Sequence, residues 1–583
     1  MADAIKKPWY AQRTLAETDA IITAPGSPFE LETRYIDGRL QRVYKRLYPS
    51  LRTFWLWAAA EHADLTYVVL ENQRISYKQA FQQSLRAAGV LRDVYGVKKG
   101  DRVGICSRNY PDYVVAFWAC HLIGAVSVLV NAWLPQNQLL FCLVHTECKV
   151  IILDPERADR LEASVEELKK AAKSNGILVF NSHEGKGKWN GMKSWNAVLA
   201  AYNGDIKGIE TGRGEEGILP EDNAAILFTS GTTGMPKGVL STQRQFLTNL
   251  FNTLRPTTDS INLPLMIATF SGHKVILMRR WIPEEGARLI KEESCTIAGG
   301  VPSMVMDLLE TSLADSGYPL ESFSFGGAPA PDVLTEKATK LFPTAVLGQG
   351  YGMTETNSLA VGISGEDCIA RPQSTGLPTP VNELVIVKGD MAMPPGELGE
   401  VWIRGVNVMK GYWRDPEATE KASAVTKDGW MKTGDLGYLD EEGYLYVKDR
   451  IKDIIIRGGE NIDSTTVENA LYADSRVMEA AAVAVPHERL GEVVAAVVAV
   501  KPAFKGQVTE ASLIAIATKS LPKFAVPVMV IVRDELLEKN ASGKIVKMPL
   551  RRMAREIWQK RQSELKTKLQ ELSARDRSRV EDV

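Results

Sequence analysis

The run Thr229-Ser230-Gly231-Thr232-Thr233-Gly234-Met235-Pro236-Lys237-Gly238 gathers the groups that polyphosphate chemistry needs. Glycines let backbone approach phosphate oxygens, hydroxyls and N–H groups donate to them, and Lys237 brings a mobile positive charge. The run follows the apolar strand-like Ala224-Ala225-Ile226-Leu227-Phe228, and a helix is expected to begin near Ser241-Thr242. It is not a Walker A motif, which needs Gly-Lys-Ser/Thr, because Pro236 precedes Lys237 and Gly238 follows it.

Strand-like and helix-like runs alternate through the first third of the chain. Arg102–Cys106, a helix after Pro111, a strand near Val128 and Lys149–Leu153 predict a doubly wound parallel sheet covered by helices, an α/β architecture. Tyr113 to Leu134 carries no Lys, Arg, Asp or Glu, yet Asn109 and Pro111 start a helix and Gly124 stops it. Two buried elements are therefore expected there instead of a membrane span. The Gly-rich, polar Asn203 to Glu216 reads as a surface connection. After Gly396 the texture changes to short strands and turns, marked by Asp428-Gly429, Glu442-Gly443 and Gly458-Gly459. A smaller unit is expected to begin near Arg450, dividing the chain into 1–449 and 450–583. From Pro549 a charged helical pattern carries Leu565, Leu569 and Leu572 at spacings of four and three, as for a surface helix docked on its own domain.

The 583 residues exceed one compact core and leave room for a substrate cleft. With 70 basic against 71 acidic residues there is no global field to attract nucleic acid or acidic lipid, so partners must be inferred from sites. The six cysteines form no Cys-x-x-Cys pair and sit mostly in apolar stretches, which favours buried free thiols over a disulfide or zinc framework. The opening Met1-Ala2-Asp3-Ala4-Ile5-Lys6-Lys7 lacks the apolar core of a secretory signal, and Glu581-Asp582-Val583 is not a Ser-Lys-Leu-type address. The expectation is a cytoplasmic protein.

The loop at 229–238 resembles the signature of the adenylate-forming superfamily, which includes acyl-CoA synthetases, amino-acid adenylation domains and firefly luciferase. Further family-like motifs follow in order: Gly326-Gly327-Ala328-Pro329, Gly348-Gln349-Gly350-Tyr351-Gly352-Met353-Thr354-Glu355, Gly396-Glu397-Leu398-Gly399-Glu400, Lys410-Gly411-Tyr412-Trp413, Thr433-Gly434-Asp435-Leu436, Asp449-Arg450-Ile451-Lys452-Asp453, Gly458-Gly459-Glu460-Asn461 and Ser542-Gly543-Lys544. The resemblance covers roughly residues 50 to 552 and is strongest to fatty-acid and aryl-acid CoA ligases. It implies a large N-terminal domain of doubly wound sheets and a small mobile α+β C-terminal domain.

The implied chemistry joins a carboxylic acid to the α-phosphate of ATP, releases pyrophosphate, and passes the acyl group to the thiol of coenzyme A. By resemblance, Thr229, Ser230, Gly231, Thr232, Thr233, Gly234 and Lys237 would hold phosphates, and Thr354 would contact the α-phosphate. Glu355 resembles the magnesium-binding glutamate. Adenine would lie against Gly327, Ala328, Pro329 and Tyr351; Gln349, Gly350, Gly352 and Met353 would also bind ATP, and Asp435 and Arg450 would stand at the ribose. Lys544 resembles the lysine that bridges carboxylate and α-phosphate. Lys452 occupies the hinge position, and Gly458 and Gly459 would line the pantetheine path. The thiol acceptor could equally belong to a carrier protein, since the first half-reaction is shared.

One stretch departs from the family. Phe246 to Ser271 is short, contains no His, and lacks the strand and Pro-Leu-Phe-His-like element that normally flank the acid; His273 lies downstream in an expected turn. Losing a central strand exposes a sheet edge. Replacement by another segment, a degenerate non-catalytic paralogue, or an incomplete reading of the gene each account for it.

Overall fold

The apolar runs of the first third form parallel strands. Strands β1 (Arg102–Cys106), β2 (Val126–Val130), β3 (Val150–Leu153) and β4 (Gly176–Val179) lie in the order β2-β1-β3-β4. Every residue of β2 and β3 is buried, as strands covered on both faces require. The chain leaves β1 to one side for β2 and then crosses to the other for β3, which makes the sheet doubly wound. Helix α1 (Pro111–Leu122) starts on Pro111 and stops before Gly124, whose φ is +68°. Tyr113 to Leu134 is thus a helix and a strand, and among the described residues no helix is long and apolar enough to cross a membrane.

The structure is a computed structural model that describes residues 15–212, 217–229, 235–254, 262–421, 428–540 and 543–581. It divides into two units. The larger comprises the chain up to Ala328 with Thr335–Thr433 and Tyr438–Tyr446; the smaller comprises Pro329–Leu334, Gly434–Gly437 and the chain from Val447.

In the larger unit β5 (Asn223–Thr229) joins β2 in parallel, and β6 (Lys237–Thr242) returns antiparallel to it with Thr229 opposite Lys237. The glycine-rich run therefore connects two antiparallel strands, with its residues 230–234 outside the described residues. The helix expected near Ser241-Thr242 begins at Gln243, as α2 (Gln243–Leu254), and the correction is that the residues leading to it form strand β6. Gly238 to Leu240 are held in the ladder by β5 on one side and by Gly411–Tyr412 on the other. The helix start is fixed where Thr242 Oγ1 accepts from the Gln245 amide at 3.2 Å and Gln245 Oε1 from the Thr242 amide at 2.9 Å. A second correction falls in Asn203 to Glu216, where Ile206–Thr211 is helical. Asp205 caps its first turn through the Gly208 amide, and Gly212 ends it at φ +75°.

After α2 the next described element is α3 (Asn262–Ser271), and then Val275–Ile276, which pairs with Thr66–Leu70 in a separate three-stranded sheet. His273 follows Gly272 (φ +70°) in a turn, exposed. Strands β7 (Ile297–Gly300), β8 (Ser322–Gly326), β9 (Val346–Met353) and β10 (Ser358–Ser364) build a five-stranded sheet completed by Leu377–Pro378. Among the described residues β7 pairs with β8 alone, so it is an edge, and Ile297 is 50% exposed. No described residue between α2 and β7 supplies a strand to that edge, and 255–261 of the short stretch lie outside the described residues.

In the smaller unit, β11 (Ile455–Arg457), β12 (Glu460–Ile462), β13 (Val477–His487) and β14 (Gly491–Val500) lie in the order β12-β11-β14-β13, with β15 (Met529–Arg533) parallel to β14. Helices α4 (Ser464–Tyr472) and α5 (Glu510–Ser520) pack with α6 (Lys547–Glu581) against this sheet. Leu550 and Ala554 of α6 are buried, the Trp558 indole donates to the Pro486 carbonyl at 2.7 Å, and Arg561 pairs with Glu510 at 2.7 Å. Leu565 is exposed, and the side chains of Leu569 and Leu572 lie outside the described residues. All six cysteines are free, and only Cys295 is less than fully buried.

Candidate active site

The larger unit carries the phosphate-side residues. Thr229 and Lys237 close the hairpin stem, while Ser230, Gly231, Thr232, Thr233 and Gly234 lie outside the described residues. The expected adenine side starts at Gly327 (φ +76°) and Ala328, directly after β8; Pro329 is grouped with the smaller unit. Strand β9 carries Gln349, Gly350, Tyr351, Gly352 and Met353. A Cβ added at Gly352 would meet the Ser358 carbonyl oxygen at 1.7 Å, so only glycine lets β9 and β10 close where their register shifts.

Thr354 and Glu355 follow in a 3₁₀ turn, Thr354–Thr356. The Glu355 carbonyl accepts from the Met409 amide at 2.7 Å, and its carboxylate Oε1 accepts from the Tyr412 hydroxyl at 2.7 Å. The Lys237 ammonium stands 5.1 Å from the centre of the same Tyr412 ring, a cation–π distance. Lys237, Glu355 and Tyr412 thus meet although 118 and 57 residues separate consecutive members in sequence. Tyr412 stood in a recognised motif but had no assigned role. Its position depends on strand register, which a single sequence does not reveal.

Glu355 suits a hard cation. One carboxylate oxygen is engaged by a phenol, and among the described residues the other has no recorded hydrogen bond and no three His, Cys, Asp or Glu side chains gather. A single protein carboxylate completed by phosphate oxygens and water is how magnesium is usually bound.

The smaller unit carries the ribose- and lysine-side residues. Asp435 is buried, and its Oδ1 is 3.3 Å from Nε of Arg450. Lys452 is exposed in a turn closed by the Asp453 and Ile454 amides on the Arg450 carbonyl. Gly458 and Gly459 have φ of +60° and +94° between paired Arg457 and Glu460, so the β11–β12 hairpin itself requires them. That local need stands beside the pantetheine path implied by resemblance.

Lys544 sits in a second tight hairpin. Its amide donates to Asn540 Oδ1 at 2.9 Å, its carbonyl accepts from the Asn540 amide at 2.8 Å, and Lys539 bridges to Ile545. Two ion pairs flank it. Lys539 reaches Glu479 of β13 at 2.5 Å, and Lys547 reaches Glu468 of α4 at 2.7 Å and Ser464 Oγ at 2.5 Å. Burial pushes Glu468 and Asp449 upward, against the pull of Lys547. Burial also works to push Lys547 down, but Glu468 and Asp449 outweigh it and hold the ammonium above its ordinary range. Glu468 and Glu479 were not anticipated, since lone acids in a helix and a strand give no sequence signal.

Residues 55–413 match the family model of the AMP-binding enzyme, and residues 466–544 match that of the AMP-binding enzyme C-terminal domain. The chain is 30% identical over 512 residues to a 2-succinylbenzoate–CoA ligase of Bacillus cereus, covering 85% of this chain and 96% of that protein. It is 30% identical over 500 residues to the long-chain-fatty-acid–CoA ligase FadD13 of Mycobacterium tuberculosis, covering 82% and 93% respectively. The o-succinylbenzoate coenzyme A synthetase of Bacillus subtilis, solved with ATP and magnesium, superposes with a TM-score of 0.70 at 27% identity, over 86% of this chain and 98% of that one. With family models spanning both parts of the chain and relatives matched almost end to end, this chain belongs to the adenylate-forming AMP-binding enzymes.

Proposed function

We propose that the chain activates a fatty or aryl carboxylic acid with ATP as an acyl-adenylate and transfers the acyl group to coenzyme A, giving acyl-CoA, AMP and pyrophosphate. The observation that carries this is the meeting of Lys237, Glu355 and Tyr412 at the stem of the glycine-rich hairpin. Lys237 and the loop residues Ser230, Thr232 and Thr233 hold the β- and γ-phosphates, and Thr354 contacts the α-phosphate. Glu355 holds magnesium, which when bound neutralises phosphate charge. Asp435 accepts from the ribose hydroxyls with Arg450 beside it, and adenine lies against Gly327–Pro329 and Tyr351. Lys544 steadies the acid carboxylate and the α-phosphate as charge builds during attack. A turn of the C-terminal part about Lys452 then exchanges Lys544 for the thiol. The relatives' names support coenzyme A as acceptor; a carrier-protein thiol is the other acceptor the chemistry allows.

The open edge at β7 favours a second reading, a chain that binds nucleotide and turns over acid poorly. Calorimetry with ATP and magnesium, followed by pyrophosphate release across fatty and aryl acids with and without coenzyme A, separates the two. Turnover stimulated by coenzyme A supports the ligase. ATP binding without turnover supports the second reading, and neither would overturn both.

A further inference from the structure

The segment Lys410-Gly411-Tyr412-Trp413 has a conspicuous sequence and, so far, no part in the chemistry. Its backbone is zipped to β6: Tyr412 lies opposite Val239 and Gly411 opposite Leu240, while the Lys410 amide donates to the Leu240 carbonyl and the Trp413 amide to the Gly238 carbonyl at 2.7 Å. Side chains two apart on a strand share a face, so Lys237 stands on the same face of β6 as Val239, diagonally across from Tyr412. The register alone therefore brings the ammonium over the ring at 5.1 Å. The ring cannot drift. It is buried with Val239 and Met409, and its own amide donates to Thr419 Oγ1 at 2.9 Å.

The same segment, with Asn407 and Met409 just before it, grips the turn that bears Glu355. The Met409 amide donates to the Glu355 carbonyl at 2.7 Å, Asn407 Nδ2 to the Thr356 carbonyl at 2.8 Å, and the Tyr412 hydroxyl to Glu355 Oε1 at 2.7 Å. Backbone and carboxylate of Glu355 are thus both fixed from one short stretch of chain.

We propose that Tyr412 is a positioning residue for the triphosphate site, orienting the Glu355 carboxylate for a divalent cation bound with ATP and restraining Lys237 beside it. This rests on the reading of Glu355 as the metal-binding carboxylate. A glutamate side chain left unrestrained loses several torsions when it takes a cation; one held by a phenol has lost them on folding. The ring gives Lys237 a resting place with no fixed charge to compete with phosphate, so the ammonium stays available to the nucleotide. One side chain thereby serves the cation through its hydroxyl and the phosphates through its π face, and these two services can be removed separately.

Tyr412→Phe deletes the hydroxyl and keeps the ring; Tyr412→Leu deletes both. Manganese(II) binding is read by electron paramagnetic resonance on full-length protein with α,β-methylene ATP, alongside ATP affinity at saturating metal and the melting temperature. For Tyr412→Phe the expected result is metal binding weakened about tenfold, the order lost with one hydrogen bond to a charged group, with nucleotide affinity and melting temperature close to the parent. Tyr412→Leu should add a loss of nucleotide affinity. Metal binding within twofold of the parent in Tyr412→Phe would overturn the proposal, as would metal affinity, nucleotide affinity and melting temperature falling together, the mark of a phenol that only satisfies its own burial. Glu355→Gln keeps the two failures apart: if it leaves manganese binding unchanged, the reading of Glu355 itself falls, and the Tyr412 proposal with it.

Discussion

Lys544 acts, on the proposed mechanism, only while the α-phosphate is attacked, and its hairpin is held by partners that do not depend on its ammonium. Lys544→Ala should therefore leave folding intact and spare thioester formation from a supplied acyl-adenylate. Adenylate formation should fall by about 10²–10³, the roughly 2.7–4 kcal/mol typical of one lost transition-state contact. Equal losses in separate assays of the two half-reactions would remove it from that role. Asp112 offers a test unrelated to catalysis. It lies in the first turn of α1, its Oδ1 accepting from the Trp195 indole at 3.1 Å, and burial pushes its pKa up to about 6. A carboxyl raised in the folded state stabilises most when protonated, so its contribution disappears as pH climbs from about 4 towards 6. Asp112→Asn keeps an acceptor for the indole and drops the buried charge. Urea unfolding should show it about 3 kcal/mol more stable than the parent at pH 7.5 and equal to it at pH 4. At this scale the sequence revealed residues whose type is unusual for their surroundings, such as Lys237 among glycines and hydroxyls. It could not reveal Tyr412, Glu468 or Glu479, whose significance comes entirely from what they touch.

Among the elements, those buried on both faces were legible, because β3 is an unbroken apolar run and β2 is broken only by the small Ser127, with Gly124 and Pro111 as punctuation. Elements set by local capping or by distant partners were not. The Ile206–Thr211 helix owes its start to Asp205 and its stop to Gly212, and β6 is a strand because β5 and Gly411–Tyr412 claim its two edges. The turn at Lys452 invites an element-scale test. Its closing bonds use the amides of Asp453 and Ile454, so proline at 452 removes neither. Proline does fix φ near −65°, and a hinge must change φ to swing. Lys452→Pro should leave pyrophosphate release in the first half-reaction within a few-fold of the parent and slow acyl transfer to coenzyme A at least tenfold. Parallel loss of both steps would argue against a swinging unit.

For the whole molecule, size and charge balance bounded the answer, and the order of motifs identified the family before any geometry was known. Among the described residues the chain leaves one sheet edge, β7, without a second neighbour. That edge has a consequence for behaviour in concentrated solution. β7 presents a row of unpaired backbone groups among the described residues, with a half-exposed isoleucine at its start, on a protein whose formal net charge is −1 at pH 7. With so little net charge, little long-range repulsion keeps two copies from bringing such edges together. Static light scattering at pH 7 should show slow growth of large species on mild warming. Ile297→Lys, which plants a charge on the strand, should suppress that growth without raising the melting temperature, whereas unchanged scattering would place the sticky surface elsewhere. The same edge that leaves the acid side of the site in question would then limit how concentrated the protein can be kept, so salt and pH become practical controls on its shelf life as well as on its chemistry.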